Sequence, residues 1–173
     1  MTRSDRERML RVDQAGEFGA TRIYAGQLAV MGNRAPHAQD IAGMARQEEA
    51  HLSTFNAMMA ARRVRPTLLQ PLWSRAGYLL GAATALVGPE AAMACTVAIE
   101  DEIERHYSSQ LETLEVSGDD PELAAHVREF RDDELAHRDT ALEAGAQRAP
   151  ALPLLSGAIR LGCRLAIRLS ERI

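Results

Sequence analysis

The sequence contains no lysine, few aromatic residues and only two cysteines. Its 20 basic residues are all arginines, and with 24 acidic residues they give a formal net charge of −4. An acidic domain is a poor candidate for nucleic-acid binding, so we expect no nucleic-acid partner. Aromatic residues make up 4% of the chain. Strands favour aromatic and β-branched residues, whereas the abundant alanine and leucine favour helices, so the composition predicts an all-α protein.

Signals for disulfides, export and membrane spanning are also missing. Cys95 and Cys163 are far apart and form no Cys-x-x-Cys pair, which is typical of a protein of a reducing compartment. The N-terminal residues lack the apolar core of a signal peptide, so we expect no secretion. The uncharged stretch 76–89 has 14 residues, fewer than the ~20 that a spanning helix needs.

Glycine and proline divide the chain, which has the length of one domain (1–173), into six predicted helices. The break at Gly88-Pro89 and the capping sequence 117–121 are the clearest boundaries. Two shorter and more apolar helices are predicted over 67–87 and 153–172. The four long helices are predicted over 4–31, 36–63, 89–116 and 121–146.

The polar residues of the four long helices repeat. Each half of the chain contains a Glu-x6-Tyr pair followed by a Glu-x-x-His pair. This repetition indicates a duplicated helix pair and predicts a ferritin-like four-helix bundle, with the two apolar helices added to it. The repeated residues are Glu17, Tyr24, Glu48 and His51 in the first half, and Glu100, Tyr107, Glu134 and His137 in the second.

The spacing and the neighbours of these residues favour a metal centre. Residues three apart on a helix lie ~60° from each other, so each Glu-x-x-His pair shares one helix face. Glu100 follows the apolar run 95–99, and a buried carboxylate without a partner costs several kcal/mol. Two divalent cations would balance the charge of four glutamates. Oxygen-rich ligation with one imidazole per metal favours iron or manganese over zinc.

Two glutamates and two Glu-x-x-His pairs from four helices match the ligand pattern of ferritin-like di-iron and di-manganese bundles. By that match we predict a dinuclear centre in which Glu48 and Glu134 bridge the metals. The two histidines would bind one metal each, and Glu17 and Glu100 would be terminal ligands. The less favoured alternative is that these six residues lie on ordinary solvated helix faces. Two copies of the same polar pattern in the same order rarely arise by chance. Tyr24 and Tyr107 are either hydrogen-bond donors to the ligands or half-buried bundle residues. His106 either approaches the site or faces solvent, and Asp133 is a candidate for orienting a histidine of the other half.

Longer stretches of the chain resemble the demethoxyubiquinone hydroxylase family of ubiquinone biosynthesis. The resemblance covers nearly the whole chain and implies that Glu17, Glu48, His51, Glu100, Glu134 and His137 bind two iron ions. Phe18 stands where the family often has tyrosine. The matching stretches are 11–20 (RVDQAGEFGA), 22–27 (RIYAGQ), 63–67 (RVRPT), 71–73 (PLW), 88–100 (GPEAAMACTVAIE), 130–137 (FRDDELAH) and 169–172 (LSER).

The resemblance also implies an activity. A di-iron monooxygenase of this family hydroxylates the ring of a demethoxyubiquinone-type intermediate with O₂, and NADH is the reductant. The chain has no Gly-x-Gly-x-x-Gly fingerprint, so NADH would bind without a Rossmann unit. The implied partners are a membrane-resident polyprenyl quinone and a lipid-binding protein of the ubiquinone-synthesis complex, and a homodimer is an open alternative. We expect a peripheral protein on the cytoplasmic face of a bacterial inner membrane, or on the mitochondrial matrix face for a processed form.

The last predicted helix favours membrane contact. Its arginines, at 160, 164, 168 and 172, recur every four residues opposite a leucine-rich side, so the helix is suited to lie among anionic headgroups. The alternative is a helix that covers the bundle with its arginines in solvent. We expect the two apolar helices to form a substrate entrance beside the metals, with these residues at it: Leu68, Leu69, Leu72, Trp73, Tyr78, Leu79 and Leu80.

Two other classes of function remain open from the residues alone. One is a ferritin-like protein that stores iron or reduces peroxide. Iron storage needs a cage with a hydrophilic exterior, and peroxide reduction usually uses an extra cysteine site. The two apolar helices and the two isolated cysteines disfavour both activities. The other is a metal-free bundle that binds membranes through its basic helix. Iron content discriminates the second class directly, because a di-iron enzyme holds about two irons per chain.

Overall fold

The computed structural model describes residues 1–172, and these residues form six α-helices, a 3₁₀ turn and no strand. The predicted all-α class is confirmed. Two helices are shorter than the rest: α3 (Gln70–Val87) and α6 (Leu152–Ser170). The four long helices are α1 (Arg3–Met31), α2 (Ala38–Arg62), α4 (Pro89–Ser117) and α5 (Pro121–Glu143).

Side-chain caps mark the starts of α1 and α5. Helix α1 begins with a capping box, in which the Thr2 hydroxyl accepts from the Asp5 N–H at 3.1 Å and the Asp5 carboxylate accepts from the Thr2 N–H. Helix α5 begins where the Asp120 carboxylate accepts from the Leu123 N–H. The predicted end of α5 at 146 is three residues too late. The chain leaves the helix at Gly145 (φ 90°), and Ala146–Arg148 forms the 3₁₀ turn.

The four long helices form the bundle, with α1 packed along α2 and α4 packed along α5. Apolar side chains fill both ends of its interior. One cluster contains Tyr24, Met44 and Met93, and the other contains Phe55 and Phe130. On each long helix, one glutamate with 0% exposure lies between the helix's contributions to the two clusters. The middle of the bundle is therefore polar, and apolar packing closes it at both ends.

Helix α3 lies directly against α1 because glycine allows their backbones to touch. A Cβ atom at Gly81 would lie 1.9 Å from the carbonyl oxygen of Ile23, and one at Gly26 would lie 2.1 Å from the carbonyl oxygen of Tyr78. No larger residue fits at either position without separating the helices.

Helix α6 is held against α4 by ion pairs. The Arg160 guanidinium donates to the Asp101 carboxylate, and that of Arg164 donates to both oxygens of Glu102 at 2.9 and 3.0 Å. The end of α6 also meets the start of α3, since the indole N–H of Trp73 donates to the Ser170 hydroxyl at 3.0 Å. Helices α3 and α6 thus form a second layer over α1 and α4.

Candidate metal centre

Six side chains from all four long helices converge in the polar middle of the bundle. All are buried, and the four glutamates are 0% exposed. They form two groups, and within each group the candidate ligand atoms lie within 4.8 Å of one another. One group is Glu17, Glu48, His51 and Glu134, and the other is Glu48, Glu100, Glu134 and His137. The structure therefore brings together the six residues that the sequence singled out, and Glu48 and Glu134 belong to both groups.

Eight ligand-type atoms of this cluster are buried and have no hydrogen-bond partner among the described residues. They are Glu17 Oε2, Glu100 Oε2, both carboxylate oxygens of Glu48 and of Glu134, His51 Nδ1 and His137 Nδ1. Buried polar groups in folded proteins are almost always partnered. Six oxygens and two imidazole nitrogens that face one another fit a pair of oxygen-preferring cations, so the residues present suit a dinuclear centre.

The electrostatics of the protein alone show the same shortage of positive charge. Burial and the charges of neighbouring glutamates raise the pKa of Glu48 and Glu100 well above the usual range, and burial also raises that of Glu134. Burial opposes the ionisation of Glu17 as well, but the neighbouring imidazole of His51 outweighs it and lowers the pKa of Glu17. Burial likewise works against protonation of His51, yet its carboxylate neighbours raise its pKa to about 10. The cluster thus holds protons, and these compensate part of the negative charge that two cations would balance.

The two tyrosines contact the glutamate of the opposite helix. The Tyr24 hydroxyl on α1 donates to Glu100 Oε1 on α4, and the Tyr107 hydroxyl on α4 donates to Glu17 Oε1 on α1. Burial, followed by the charge of the nearby glutamates, raises the pKa of both tyrosines well above 10. Both hydroxyls therefore keep their protons and serve as donors, which decides between the two roles that the sequence left open.

His51 turns one ring nitrogen inward and the other outward. Its Nδ1 lies 3.6 Å from Glu17 and 3.5 Å from Glu134, and its Nε2 lies 3.1 Å from the Asp133 carboxylate. The ring stacks on Phe130, with centroids 3.9 Å apart and 20° between the planes. Asp133 thus contacts a histidine of the other half, as its place beside Glu134 suggested.

His137 has the equivalent arrangement with a different outer partner. Its Nδ1 lies 3.1 Å from Glu48 and 3.3 Å from Glu134, and burial lowers its pKa. Its Nε2 lies 3.1 Å from the side-chain carbonyl oxygen of Gln47. The sequence analysis missed Gln47. The signal was available, because Gln47 precedes the Glu-x-x-His glutamate of its half as Asp133 does in the other.

A second buried polar group lies one helical turn from Glu17. Asp13 is buried, which raises its pKa, and its Oδ1 accepts from the Gln110 side-chain amide at 2.7 Å. His106 Nε2 lies 3.3 Å from the same oxygen. His106 therefore contacts Asp13, and it belongs to neither group of candidate ligands. The sequence analysis did not single out Asp13 or Gln110.

An apolar cavity of about 460 Å³ lies between the bundle and its second layer, lined by residues of α1, α3, α4 and α6. Its inner wall includes Gly16 and Ile99, which directly precede Glu17 and Glu100. A Cβ atom at Gly16 or Gly19 would meet no atom within 4 Å, so these two glycines leave room for a ligand.

Only some of the seven residues expected at a substrate entrance lie at this cavity. Trp73 and Leu80 line it. Leu68, Leu72 and Leu79 are exposed on the outside of the protein. Leu72 and Leu79 belong to α3, whose glycine side faces α1 and thereby turns these two leucines away from the cavity.

The basic side of α6 also differs from the expectation. Arg160 and Arg164 pair with carboxylates of α4 and therefore do not project freely towards a surface. The large apolar residues exposed on α6 are Leu154, Leu161, Leu165 and Leu169, and Arg168 is exposed as well. Within residues 1–172, every helix is too short or too polar to cross a bilayer.

Comparisons with known proteins place the chain in a family. Residues 4–170 match the family described as ubiquinone biosynthesis protein COQ7. A 3-demethoxyubiquinol 3-hydroxylase of Rhodospirillum rubrum is 55% identical over 168 residues, covering 96% of this chain and 78% of the relative. The human relative, named NADPH-dependent 3-demethoxyubiquinone 3-hydroxylase, mitochondrial, is 50% identical, covering 100% of this chain and 80% of its own length. The yeast 5-demethoxyubiquinone hydroxylase, mitochondrial, is 43% identical over 96% of this chain and 78% of the relative. This chain therefore belongs to the COQ7 family of ubiquinone biosynthesis proteins.

Proposed function

We propose that this chain is a di-iron monooxygenase that hydroxylates the ring of a demethoxyubiquinol-type substrate in ubiquinone biosynthesis. One oxygen atom of O₂ replaces a ring hydrogen as a hydroxyl group, and the other leaves as water. This reaction consumes two electrons and two protons, which NADH or NADPH and the solvent would supply. The observation that carries the proposal is the buried cluster of eight unpartnered ligand atoms in two groups. The relatives' names supply the substrate class.

The ligand roles follow from the two groups. Glu48 and Glu134, which belong to both, would bridge the ions, while Glu17 with His51 and Glu100 with His137 would complete the two positions. Four carboxylates balance two divalent cations, so the bundle interior becomes neutral. Iron fits better than zinc because the ligands are mostly oxygen and the reaction requires a redox-active metal. When bound, the two ions supply the redox chemistry that activates O₂.

The surrounding residues hold these ligands in place. Tyr24 and Tyr107 each donate to one terminal glutamate, which leaves the second carboxylate oxygen of Glu100 and of Glu17 for the metal. Asp133 and Gln47 fix the outer nitrogens of the two histidines, so that both Nδ1 atoms face inward. The apolar clusters at both ends of the bundle exclude water from the site.

The apolar cavity is our proposed substrate site. Its inner wall lies on the stretches of α1 and α4 that carry Glu17 and Glu100, so a quinol ring placed there would approach the metals between these helices. The isoprenoid tail would extend between α3 and α6, whose lining residues are almost all apolar. The alanine- and glycine-rich wall of α1 gives a flat ring the space to lie close to the helix backbone.

We also propose that the outward leucines of α6 rest on the bilayer, with Leu72 and Leu79 of α3 beside them. An exposed apolar surface of this kind is typical of a membrane or protein contact. Because Arg160 and Arg164 are already paired with carboxylates, apolar insertion contributes more to binding than anionic headgroups do. The protein would then be peripheral and take its substrate from the membrane through the cavity. The membrane would be the bacterial inner membrane on its cytoplasmic face, or the mitochondrial inner membrane on its matrix face.

Labelled oxygen tests this function directly. Iron-loaded protein is incubated with NADH, a short-tailed demethoxyubiquinol and ¹⁸O₂, and the product is analysed by mass spectrometry. We expect one ¹⁸O atom in the new hydroxyl group. A protein that holds two irons per chain and yields no hydroxylated product would contradict the proposal.

The same preparation separates the alternatives. Accumulation of many irons per chain would indicate iron storage, and consumption of hydrogen peroxide without a hydroxylated quinol would indicate a peroxide reductase. A chain that takes up no iron would leave only the metal-free bundle.

A further inference from the structure

The two metal positions have the same types of ligand. They differ in the side chain that contacts the outer nitrogen of each histidine. The bridging residues Glu48 and Glu134 are common to both positions. Each terminal glutamate accepts a hydrogen bond from one buried tyrosine. The remaining difference lies behind the imidazoles, where His51 meets the carboxylate of Asp133 and His137 meets the amide of Gln47.

A carboxylate and an amide do different things to a metal-binding imidazole. When Nε2–H donates to a carboxylate, the negative charge makes Nδ1 a stronger donor and stabilises a cation bound there. An amide oxygen fixes the tautomer but adds no net charge. Outer partners of this kind typically change metal affinity by about 10–100-fold. The position at His51 therefore has the stronger nitrogen ligand.

The two imidazole rings also differ in how firmly they are held. Solvent reaches both outer partners, because the Asp133 side chain is 34% exposed and Gln47 is exposed. His51 is further stacked on Phe130, four residues before Glu134. The corresponding residue of the first half, four before Glu48, is Met44. A restrained imidazole loses less conformational freedom when a metal binds, so this difference acts in the same direction as the charge.

We propose that the metal position at His51 is the high-affinity position and fills first, and that Asp133 sets this order. The inference rests on the dinuclear centre of the proposed function, and it concerns the order of loading rather than the reaction. Asp133 acts here as a positioning residue, through His51.

Titration of the metal-free protein with Co²⁺ tests the order of loading. Isothermal calorimetry should resolve two binding steps whose dissociation constants differ by about 10–100-fold. His51→Ala should lose the tight step and His137→Ala the weak one. Asp133→Asn keeps the size of the side chain and should weaken the first step by about 10–100-fold while the second changes little. Asp132→Asn, at an exposed neighbour that pairs with Arg131, is the matched control and should leave both steps unchanged.

The reverse change provides a second arm that does not depend on weakening the site. Gln47→Glu adds a carboxylate behind His137 at an exposed position, and it should tighten the second step about tenfold, so that the two steps converge. Circular dichroism at each end point verifies that the variants are folded. Two equal steps in the unmodified protein would overturn the inference, and so would an Asp133→Asn protein with unchanged binding. Absence of any Co²⁺ binding would overturn the inference together with the metal centre. Two unequal steps in a protein without hydroxylase activity would leave the inference standing and contradict the proposed function alone.

Discussion

The centre of the four-helix bundle and the outer side of α3 and α6 reverse the usual distribution of polarity in a soluble protein. Four glutamates are fully buried in the centre, while Leu68, Leu79, Leu154 and Leu161 are more than half exposed on the outer side. Buried carboxylates without partners and exposed leucines both cost free energy in water. The proposed function compensates both costs, with cations in the centre and a membrane against the outer side.

The apolar cavity lies between these two regions. It is lined by residues of α1 and α4 on one side and by residues of α3 and α6 on the other. Buried charge is thus concentrated on one side of the cavity, and exposed apolar surface lies on the other.

The largest effect is expected from Glu134, which belongs to both groups of ligand atoms. Glu134→Gln should weaken both metal positions by at least about 100-fold and abolish hydroxylation, because one side chain serves two cations. Glu17→Gln should weaken one position only. Metal content after gel filtration, measured by mass spectrometry, checks both variants, and Glu129→Gln on the exposed side of α5 is the control. Retention of two metals by Glu134→Gln would contradict the assigned bridging role.

Gly81→Ala should have the next largest effect, on stability. The added Cβ atom would lie 1.9 Å from the Ile23 carbonyl oxygen, so α3 must move away from α1. We expect a loss of about 3 kcal/mol in the free energy of unfolding, measured by urea denaturation. Gly157→Ala, where the new methyl meets no atom within 4 Å, should be neutral or slightly stabilising. Equal stabilities of the two variants would show that α3 and α1 are not in backbone contact.

The outer side of α6 predicts membrane binding through leucine. The double variant Leu161→Ser and Leu165→Ser should bind vesicles of equal parts phosphatidylcholine and phosphatidylglycerol about tenfold more weakly, because less apolar area enters the bilayer. Cosedimentation measures the bound fraction. Val116→Ser, at an exposed position at the end of α4, should bind as the unmodified protein does. Unchanged binding by the double variant would place the membrane contact elsewhere.

Gly19→Ala should have the smallest effect. It should raise the stability of the protein and lower its activity. A methyl group there meets open space within the cavity wall, so the protein should gain roughly 0.5–1 kcal/mol from the better helix former. The same methyl occupies substrate space, and kcat/KM should fall about tenfold. Gly157→Ala gives the same gain outside the cavity and should leave kcat/KM unchanged. Unchanged activity of Gly19→Ala would argue against the cavity as the substrate site.

Much of the candidate metal centre was predictable because the spacing of its residues is a local feature of the sequence. A Glu-x-x-His pair occupies one helix face whatever surrounds it, and its repetition in a second helix pair indicates a shared site. The breaks at Gly88 and Gly118 end helices for reasons that belong to those residues, since both have positive φ values. Asp133 could be suggested from its place beside Glu134, whereas Gln47 at the matching place was overlooked.

The α3 and α6 layer was predicted less well because its contacts join residues that are distant in the sequence. Arginines spaced every four residues look the same whether they face lipid, water or carboxylates, and only the packing on α4 pairs Arg160 with Asp101. Leucines of α3 look equally suited to a cavity or to a surface until Gly81 is seen to touch α1.

By itself the sequence determined the helices, their pairing into two repeated halves and the identity of six candidate ligands, because helical periodicity and residue chemistry act over a few residues. Only the tertiary structure decided that Tyr24 crosses to Glu100 and Tyr107 to Glu17, that unequal partners support the two histidines, and which residues line the cavity. These features depend on how the helices rotate and approach one another, and that is set by the packing of the whole bundle rather than by any one segment.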